Sequence, residues 1–363
     1  MQATVEKFRA QILAASANGS ALRLRGGGSK DWYGQQPAGD ILDTRPYAGI
    51  VDYEPTELVI TARCGTPLAE IEAALAGQNQ MLAFEPPHFG ATATIGGVVA
   101  CALSGPRRAS AGALRDFVLG AVLMDGKGEV LTFGGQVMKN VAGYDVARLL
   151  AGSLGTLGLI LQVSLKVLPL PFRETSIRFA MSEIDALARL NEWAGQPLPI
   201  SASCWHDGVL TLRLSGAEAA VMAALQRLGG EEVGRGQGAA FWLSVREQTH
   251  PFFDGSPIWR LSLPPACSAL ILKGQQLIEW GGAQRWLKVD AEPDVARPDV
   301  ARPDVARTIR NSVAAAGGHA TLFRSGDKSV GVFHPLAPAV AAIHQRLKLS
   351  FDPAGIFNPG RMY

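Results

Sequence analysis

Arg25-Gly26-Gly27-Gly28-Ser29-Lys30 stands directly after a short β-prone run, Ala21 to Arg25. Three consecutive glycines leave the backbone N–H groups free to turn toward one anion, and Ser29 and Lys30 add a hydroxyl donor and a positive charge. Alone, this segment reads equally as a flexible turn. Three further glycine-rich stretches change that balance. Thr94-Ile95-Gly96-Gly97 permits close backbone approach to a flat ligand, and Gly152-Ser153-Leu154-Gly155-Thr156-Leu157-Gly158-Leu159-Ile160 sets glycines at every third position ahead of a buried strand. Phe351-Asp352-Pro353-Ala354-Gly355-Ile356-Phe357-Asn358-Pro359-Gly360-Arg361 closes the chain. One large ligand lying across several backbone loops accounts for all four.

Outward from these loops, residues 3–16 carry apolar side chains at helical spacing (Val5, Phe8, Ile12, Leu13). Leu58 to Ala62 is β-rich, and Thr66-Pro67 predicts a helix start with Thr66 as candidate cap, Leu68, Ile71 and Leu75 on one face and an end near Gly77. Asp125-Gly126-Lys127-Gly128, between Phe117–Met124 and Glu129–Phe133, predicts a hairpin. Leu157 to Leu168 predicts a strand stopped by Pro169 and Pro171. Beyond it the order becomes β-α-β-β-α, with strands at Ser176–Ala180, Ser201–Trp205 and Val209–Leu214 and helices at Glu183–Trp193 and Ala217–Leu228. That order suits a separate antiparallel sheet with helices on one face, which puts a domain boundary near residue 171. Residues 293–307 spell Pro-Asp-Val-Ala-Arg three times. The unit is too short for a solenoid and its prolines block a continuous helix, so the repeat reads as an exposed loop. Pro338 to Lys348 predicts an amphipathic helix leading into the tail.

The 363 residues correspond to about two domains at roughly 150 residues each. Hydrophobic residues at 47% and charged ones at 18% exclude a disordered chain. The 41 glycines and 22 prolines argue against a helical bundle. With 34 Lys+Arg against 32 Asp+Glu the net charge is +2, and no basic run exceeds Arg107-Arg108, which excludes nucleic acid as a partner. Cys64, Cys101, Cys204 and Cys267 are scattered, which suits reduced thiols in a cytoplasmic protein and excludes an iron–sulfur cluster held by this chain. The N-terminal residues carry charges of both signs and no apolar core of a signal peptide, and Leu149–Leu170 is broken by Gly152, Gly155, Gly158, Gln162, Lys166 and Pro169, so no direct membrane insertion is expected.

Gly234-x-Gly236-x-x-Ala239 matches the dinucleotide fingerprint in form but lacks a buried strand before it. No phosphate-binding P-loop occurs, since Gly128 follows Lys127 where Ser or Thr is required. Ala151-Gly152-Ser153-Leu154-Gly155 departs from a nucleophile elbow at its first position. The six histidines include no H-E-x-x-H pair and read as packed or surface residues.

The combination resembles the flavoproteins of the vanillyl-alcohol oxidase / p-cresol methylhydroxylase (PCMH) type, over residues 1–171 and again 336–363. Within that group Lys139-Asn140-Val141-Ala142-Gly143-Tyr144-Asp145, the 152–160 stretch, Trp259-Arg260-Leu261-Ser262-Leu263-Pro264 and Gly317-Gly318-His319-Ala320-Thr321-Leu322-Phe323-Arg324 are similar to the FAD-binding (E) subunits of glycolate oxidases. The resemblance implies an α+β fold. A PCMH-type FAD-binding domain of two subdomains would occupy 1–171, a smaller antiparallel α+β cap domain 172–335, and a C-terminal segment returning to the flavin 336–363. It implies that Gly26, Gly27, Gly28 and Ser29 cradle the pyrophosphate. Thr94, Gly96 and Gly97 would lie along the ribityl chain and isoalloxazine, Gly105 and Gly112 in the next flavin-contacting loop, and Gly152, Gly158 and Ile160 near the nucleotide. Asn358 would approach from the tail. Members that attach FAD covalently use a histidine in or near the glycine-rich loop; Ser29 and Lys30 stand there instead, which implies dissociable FAD.

The activity implied is oxidation of a small 2-hydroxy acid, glycolate or D-lactate, in a cytoplasmic complex with the paralogous D subunit and an iron–sulfur subunit, which could bring it to the inner face of the cell membrane. Arg260 is the candidate for the substrate carboxylate, with an amphipathic-strand arginine as the plain alternative. Relatives that oxidise D-2-hydroxy acids show a His-Ile-Gly-Asp-Gly-Asn-x-His segment and a Glu-His-Gly element that hold a metal. Here His319 matches only the first histidine and no Glu-His-Gly occurs, so the metal-and-base set is incomplete and no metal ligands are assigned. Two functions stay open: a flavoenzyme with its own glycolate site, and an FAD-loaded structural and electron-relay subunit whose D partner holds the substrate. A sugar or aldonolactone oxidase fits the Lys139–Asp145 and C-terminal motifs less well.

Overall fold

Residues Leu159–Lys166 are buried along almost their whole length because this strand is the middle one of a five-stranded sheet, paired along both edges. The computed structural model describes residues 1–135, 145–255, 257–289 and 303–362. The chain divides into two compact units, Met1–Ser104 with Ala113–Leu170 and Pro335–Tyr363, and Gly105–Gly112 with Pro171–His334.

The first unit starts with α1 (Gln2–Asn18), β1 (Leu22–Arg25), β2 (Asp40–Asp43), β3 (Ile50–Glu54), β4 (Val59–Arg63), α2 (Leu68–Ala76), β5 (Gln80–Met81) and α3 (Ile95–Cys101). After α4 (Arg108–Ala111), which lies in the second unit's segment, it continues with α5 (Leu114–Phe117), β6 (Val118–Met124), β7 (Val130–Gly134), β8 (Leu159–Lys166) and β9 (Leu168–Pro169). The second unit then runs β10 (Arg173–Ala180), α6 (Glu183–Ala194), β11 (Ile200–His206), β12 (Val209–Gly216), α7 (Glu218–Leu228), β13 (Glu231–Val233), α8 (Arg235–Arg246), β14 (Ile258–Ser262), β15 (Gln275–Glu279), β16 (Gln284–Lys288), α9 (Pro303–Ala315) and β17 (His319–Arg324). α10 (Pro338–Phe351) returns the chain to the first unit.

In the first unit α1 buries Val5, Phe8, Ile12 and Ala15, and the sheet runs β3-β4-β8-β6-β7, antiparallel throughout. The β6–β7 hairpin forms as the turn chemistry predicts: Asp125 Oδ1 accepts the amides of Lys127 and Glu129 across the turn. β1 pairs in parallel with β2, and its other edge is bridged by Phe357 of the tail. One local expectation fails. Thr66 does not cap α2, because its hydroxyl donates to the Arg63 carbonyl at 2.7 Å and accepts the Gly49 amide, leaving Pro67 at the cap position.

The second unit is built on an eight-stranded sheet, order β13-β10-β12-β11-β15-β16-β14-β17. On one face Ile177, Leu210, Leu212 and Leu214 pack under α6 and α7, while Trp259, Leu261 and Leu287 pack under Ile309 and Val313 of α9. Strand alternation sends the intervening residues to the opposite face. There the register lines up His319, Ser262, Gln284, Glu279 and Cys204 across five strands. The helices are not all on one face: α8 lies on the opposite side, where Trp242 Nε1 donates to Ser176 Oγ at 2.9 Å. Gly234–Ala239 therefore opens a helix after a three-residue antiparallel edge strand, not a Rossmann crossover.

Lys139–Tyr144 and the first two copies of the pentapeptide, 293–302, lie outside the described residues. The third copy is not loop. Pro303 opens α9 and Ala306 is buried in its core, since proline in a first helical turn gives up no hydrogen bond.

Candidate functional site

The loop after β1 and the start of α3 face each other across a narrow open cleft of about 70 Å³. Gly26–Lys30, Arg23, Arg25, Asp31, Thr94, Gly97, Cys101, Leu154, Asn358 and Arg361 are among its walls. Glycine is required at the closest approach: a Cβ on Gly27 would overlap the Thr92 carbonyl oxygen, and Gly28 sits at φ +75°. Thr92 fixes this approach, its hydroxyl donating to the Gly27 carbonyl at 2.8 Å.

The cleft is cationic. Arg23, Arg25, Lys30 and Arg361 line it against the single carboxylate of Asp31, which Arg23 and Arg25 both engage. Lys30 is buried, donates to the His88 carbonyl at 3.2 Å and lies over the Phe89 ring. Thr94 is 6% exposed, and its Oγ1 has no hydrogen-bond partner among the described residues. A buried hydroxyl without a partner costs about 1–3 kcal/mol, so a ligand oxygen at that point would repay it. Bare backbone, an excess of positive charge and an orphaned hydroxyl in one cleft fit the diphosphate of a dinucleotide cofactor.

The expected residues divide three ways. Gly26, Gly27, Gly28, Ser29, Thr94, Gly97 and Asn358 all line the cleft. Gly96, Gly152, Gly158 and Ile160 are not among its walls. Gly96 packs on Cys64, Gly152 donates its amide to Val99, a Cβ on Gly158 would press on the Met124 carbonyl, and Ile160 is buried in β8. Gly105 and Gly112 belong to the second unit, where Trp280 Nε1 donates to the Gly105 carbonyl at 3.1 Å. Asn358 lines the cleft but commits its carboxamide to the protein, donating to the Leu154 carbonyl and accepting the Leu24 amide.

Sequence reasoning missed Arg23, Cys101 and Arg361. Cys101 was readable as the i+4 neighbour of Gly97 on the face of α3 that meets the cleft. Arg361 lies three residues beyond Asn358 in the same tail segment. Burial pushes the Cys101 thiol up from its ordinary value, which makes it a poor nucleophile.

In the second unit, Arg260 and His319 share one face of the β14–β17 pair, Arg260 opposite Thr321 and His319 opposite Ser262. Arg260 lies over the Phe323 ring at 5.3 Å, and that ring abuts Trp286, whose Nε1 donates to the buried Glu279 carboxylate at 2.6 Å. Desolvation first, then the charges of Arg260 and His334, holds the His319 pKa below the usual histidine value. A neutral imidazole beside a guanidinium can take a proton, and the guanidinium can hold a carboxylate. Among the described residues no cluster of three His, Cys, Asp or Glu side chains could hold a metal ion, and no helix is long and apolar enough to cross a membrane.

Comparison with known proteins defines first a class: residues 2–134 match the family described as FAD binding domain. Alkyldihydroxyacetonephosphate synthase shares the fold, with TM-score 0.65 over 98% of this chain and 74% of its own, at 13% identity. Glycolate oxidase subunit GlcE of Escherichia coli (strain K12) is 50% identical over 97% of this chain and 95% of its own length. D-lactate dehydrogenase of Archaeoglobus fulgidus is 32% identical over 54% of this chain and 44% of its own. The chain belongs to the GlcE family of PCMH-type, FAD-binding flavoprotein oxidoreductases.

Proposed function

We propose that this chain is the FAD-loaded subunit of a cytoplasmic glycolate oxidase complex, working with a paralogous D-type flavoprotein subunit and an iron–sulfur subunit. The single observation that carries the reading is the cationic glycine cleft with its orphaned Thr94 hydroxyl, in a chain 50% identical to a glycolate oxidase subunit. Gly26–Ser29 present amides to the pyrophosphate, Lys30 and Arg361 offset its charge, and Thr94 supplies one more donor. FAD, when bound, supplies the two-electron acceptor that protein side chains lack.

Binding is non-covalent. The loop offers Ser29 and Lys30 where a linking histidine would stand. His88, whose carbonyl meets Lys30, turns its imidazole to Glu72 at 2.8 Å. Denaturing the purified protein in acid should leave all flavin colour in the supernatant; colour that precipitates with the chain would overturn this assignment.

On the catalytic version, Arg260 holds the carboxylate of glycolate or D-lactate and His319 receives the hydroxyl proton. On the relay version, the D-type partner oxidises the substrate and this chain passes electrons onward. The relay version is favoured by the site's composition: Arg260 and His319 stand without a metal cluster among the described residues. An anaerobic absorbance spectrum of the chain alone, before and after glycolate, separates them. Bleaching of the flavin band supports the catalytic version, and Arg260→Ala should then raise KM without loss of flavin. A band that stays oxidised supports the relay.

A further inference from the structure

The last residues of the chain do more for the cleft than contribute a wall. Phe357 bridges β1 at Leu22, with the Leu22 amide donating to Ile356 and the Asn358 amide donating to Leu22, so the tail forms the second edge of the strand that launches the glycine loop. Asn358 ties Leu24 to Leu154. Arg361 then crosses to the far end of the loop. Its Nη2 donates to the carbonyls of Lys30, Asp31 and Tyr33, at 3.3, 3.2 and 2.7 Å, and its own carbonyl accepts the Gln35 amide. The loop between Leu24 and Gln35 is thus held at both ends by one seven-residue segment, Gly355–Arg361.

That segment is packed in place: Ile356 and Phe357 are buried, and the Asp352 carboxylate accepts both their amides. Gly355 and Gly360 flank it at φ +67° and +68°, each with open space where a Cβ would stand. A second open cavity of about 320 Å³ is lined by Thr156, Gln345, Lys348 and Leu349 together with Gly355 and Asn358–Gly360. Asn358 borders both cavities. The strained Asn358 backbone, φ +41°, is kept by its two side-chain bonds.

We propose that Arg361 is a positioning residue for the dinucleotide cleft, holding the far end of the glycine loop in its binding geometry through the carbonyls of Lys30, Asp31 and Tyr33. This inference rests on the FAD reading of the cleft. Arg361 acts through the backbone of Lys30–Tyr33: with its three bonds made, the glycine amides converge, and with them lost, the loop keeps its sequence but not its aim. Lysine cannot replace it, because one ammonium on a flexible stem does not hold three carbonyls in the fixed directions that a guanidinium fork does.

The test measures flavin exchange in the whole chain. Arg361→Ala and Arg361→Lys should both raise the FAD dissociation rate and Kd by at least about tenfold, as expected for loss of hydrogen bonds from a charged group. The ADP affinity should fall in parallel, and millimolar guanidinium ion should restore part of the loss in Arg361→Ala but not in Arg361→Lys. As a check that does not depend on a variant folding, hydrogen exchange in the wild-type chain should show the Gln35 and Asn358 amides protected by FAD and by ADP. Unchanged dissociation in both variants, or amides indifferent to either ligand, overturns the positioning role of Arg361. A wild-type chain that binds neither FAD nor ADP overturns the cofactor reading itself, which is a distinct result.

Discussion

Lys348, in the last turn of α10, donates to the Asp352 carboxylate, and Asp352 is wholly buried and accepts the amides of Ile356 and Phe357. Lys348 also donates to the carbonyls of Thr156 and Phe357, at 2.7 and 2.9 Å. One buried ion pair therefore sets where the tail leaves the helix and ties it to the 152–160 stretch. Asp352→Asn keeps the shape but strips the charge, leaving the ammonium without its counter-ion. The expected cost is about 3 kcal/mol, the scale for breaking a buried pair by removing one partner. Thermal unfolding of the apo-chain checks it, and flavin content should fall as well because the tail loses its origin.

Gly27→Ala tests the glycine cleft directly. Its Cβ would fall on the Thr92 carbonyl oxygen, so the loop must retreat from α3 and the pyrophosphate amides must diverge. The purified variant should carry no flavin while keeping the wild-type far-ultraviolet circular dichroism. Gly27→Asp should do the same and add a carboxylate beside the site. Stoichiometric flavin in both variants would remove the pyrophosphate assignment.

Gly236→Ala makes the opposite prediction. This glycine belongs to the formal dinucleotide fingerprint, yet it lies in α8 with nothing within 4 Å of an added Cβ. Alanine in an open helical position should stabilise the chain by about 0.5–1 kcal/mol. Flavin content should not change. A loss of flavin here would mean that the fingerprint binds a nucleotide after all; the expected result is a higher melting temperature at constant occupancy.

The contrast between these two glycines shows what was legible beforehand. The hairpin at Asp125–Gly128 is a local signal, and it sits in the structure as turn chemistry requires. Less legible were long-range matters. That Thr66 would spend its hydroxyl on Gly49 and Arg63 depends on a strand seventeen residues away. That α8 would cross to the other sheet face depends on Ser176 pointing away from α6 and α7. The third pentapeptide copy became helix because Val305, Ala306 and Ile309 found an apolar sheet face to cover, which repeat length alone does not announce. Arg361 reads as an ordinary terminal cation until the carbonyls of residues 30, 31 and 33 are brought to it from more than 300 positions away.

Stability should fall as pH drops through the histidine range, and the second unit holds the cause. His206 and His250 meet edge to face with ring centroids 5.2 Å apart, against Phe252 and Phe241. Desolvation lowers both pKa values, outweighing the opposing charge of Asp207 at His206 and of Asp254 at His250, while Lys288 adds to the lowering at the first and the neighbouring imidazole at the second. In the folded chain both rings stay neutral to lower pH than in the unfolded chain, whose histidines titrate near the ordinary 6.5. The unfolded state thus binds more protons in this window, so folding free energy rises with pH there and is lost as pH falls below about 6.5 toward the folded values. His206→Phe keeps the aromatic contacts and removes one titrating ring while relieving the other. Denaturant unfolding at pH 5 and pH 7.5 should show a smaller difference for the variant than for the wild type. An equal difference in the two proteins would place the acid sensitivity elsewhere, with His319 and His334 the next rings to replace.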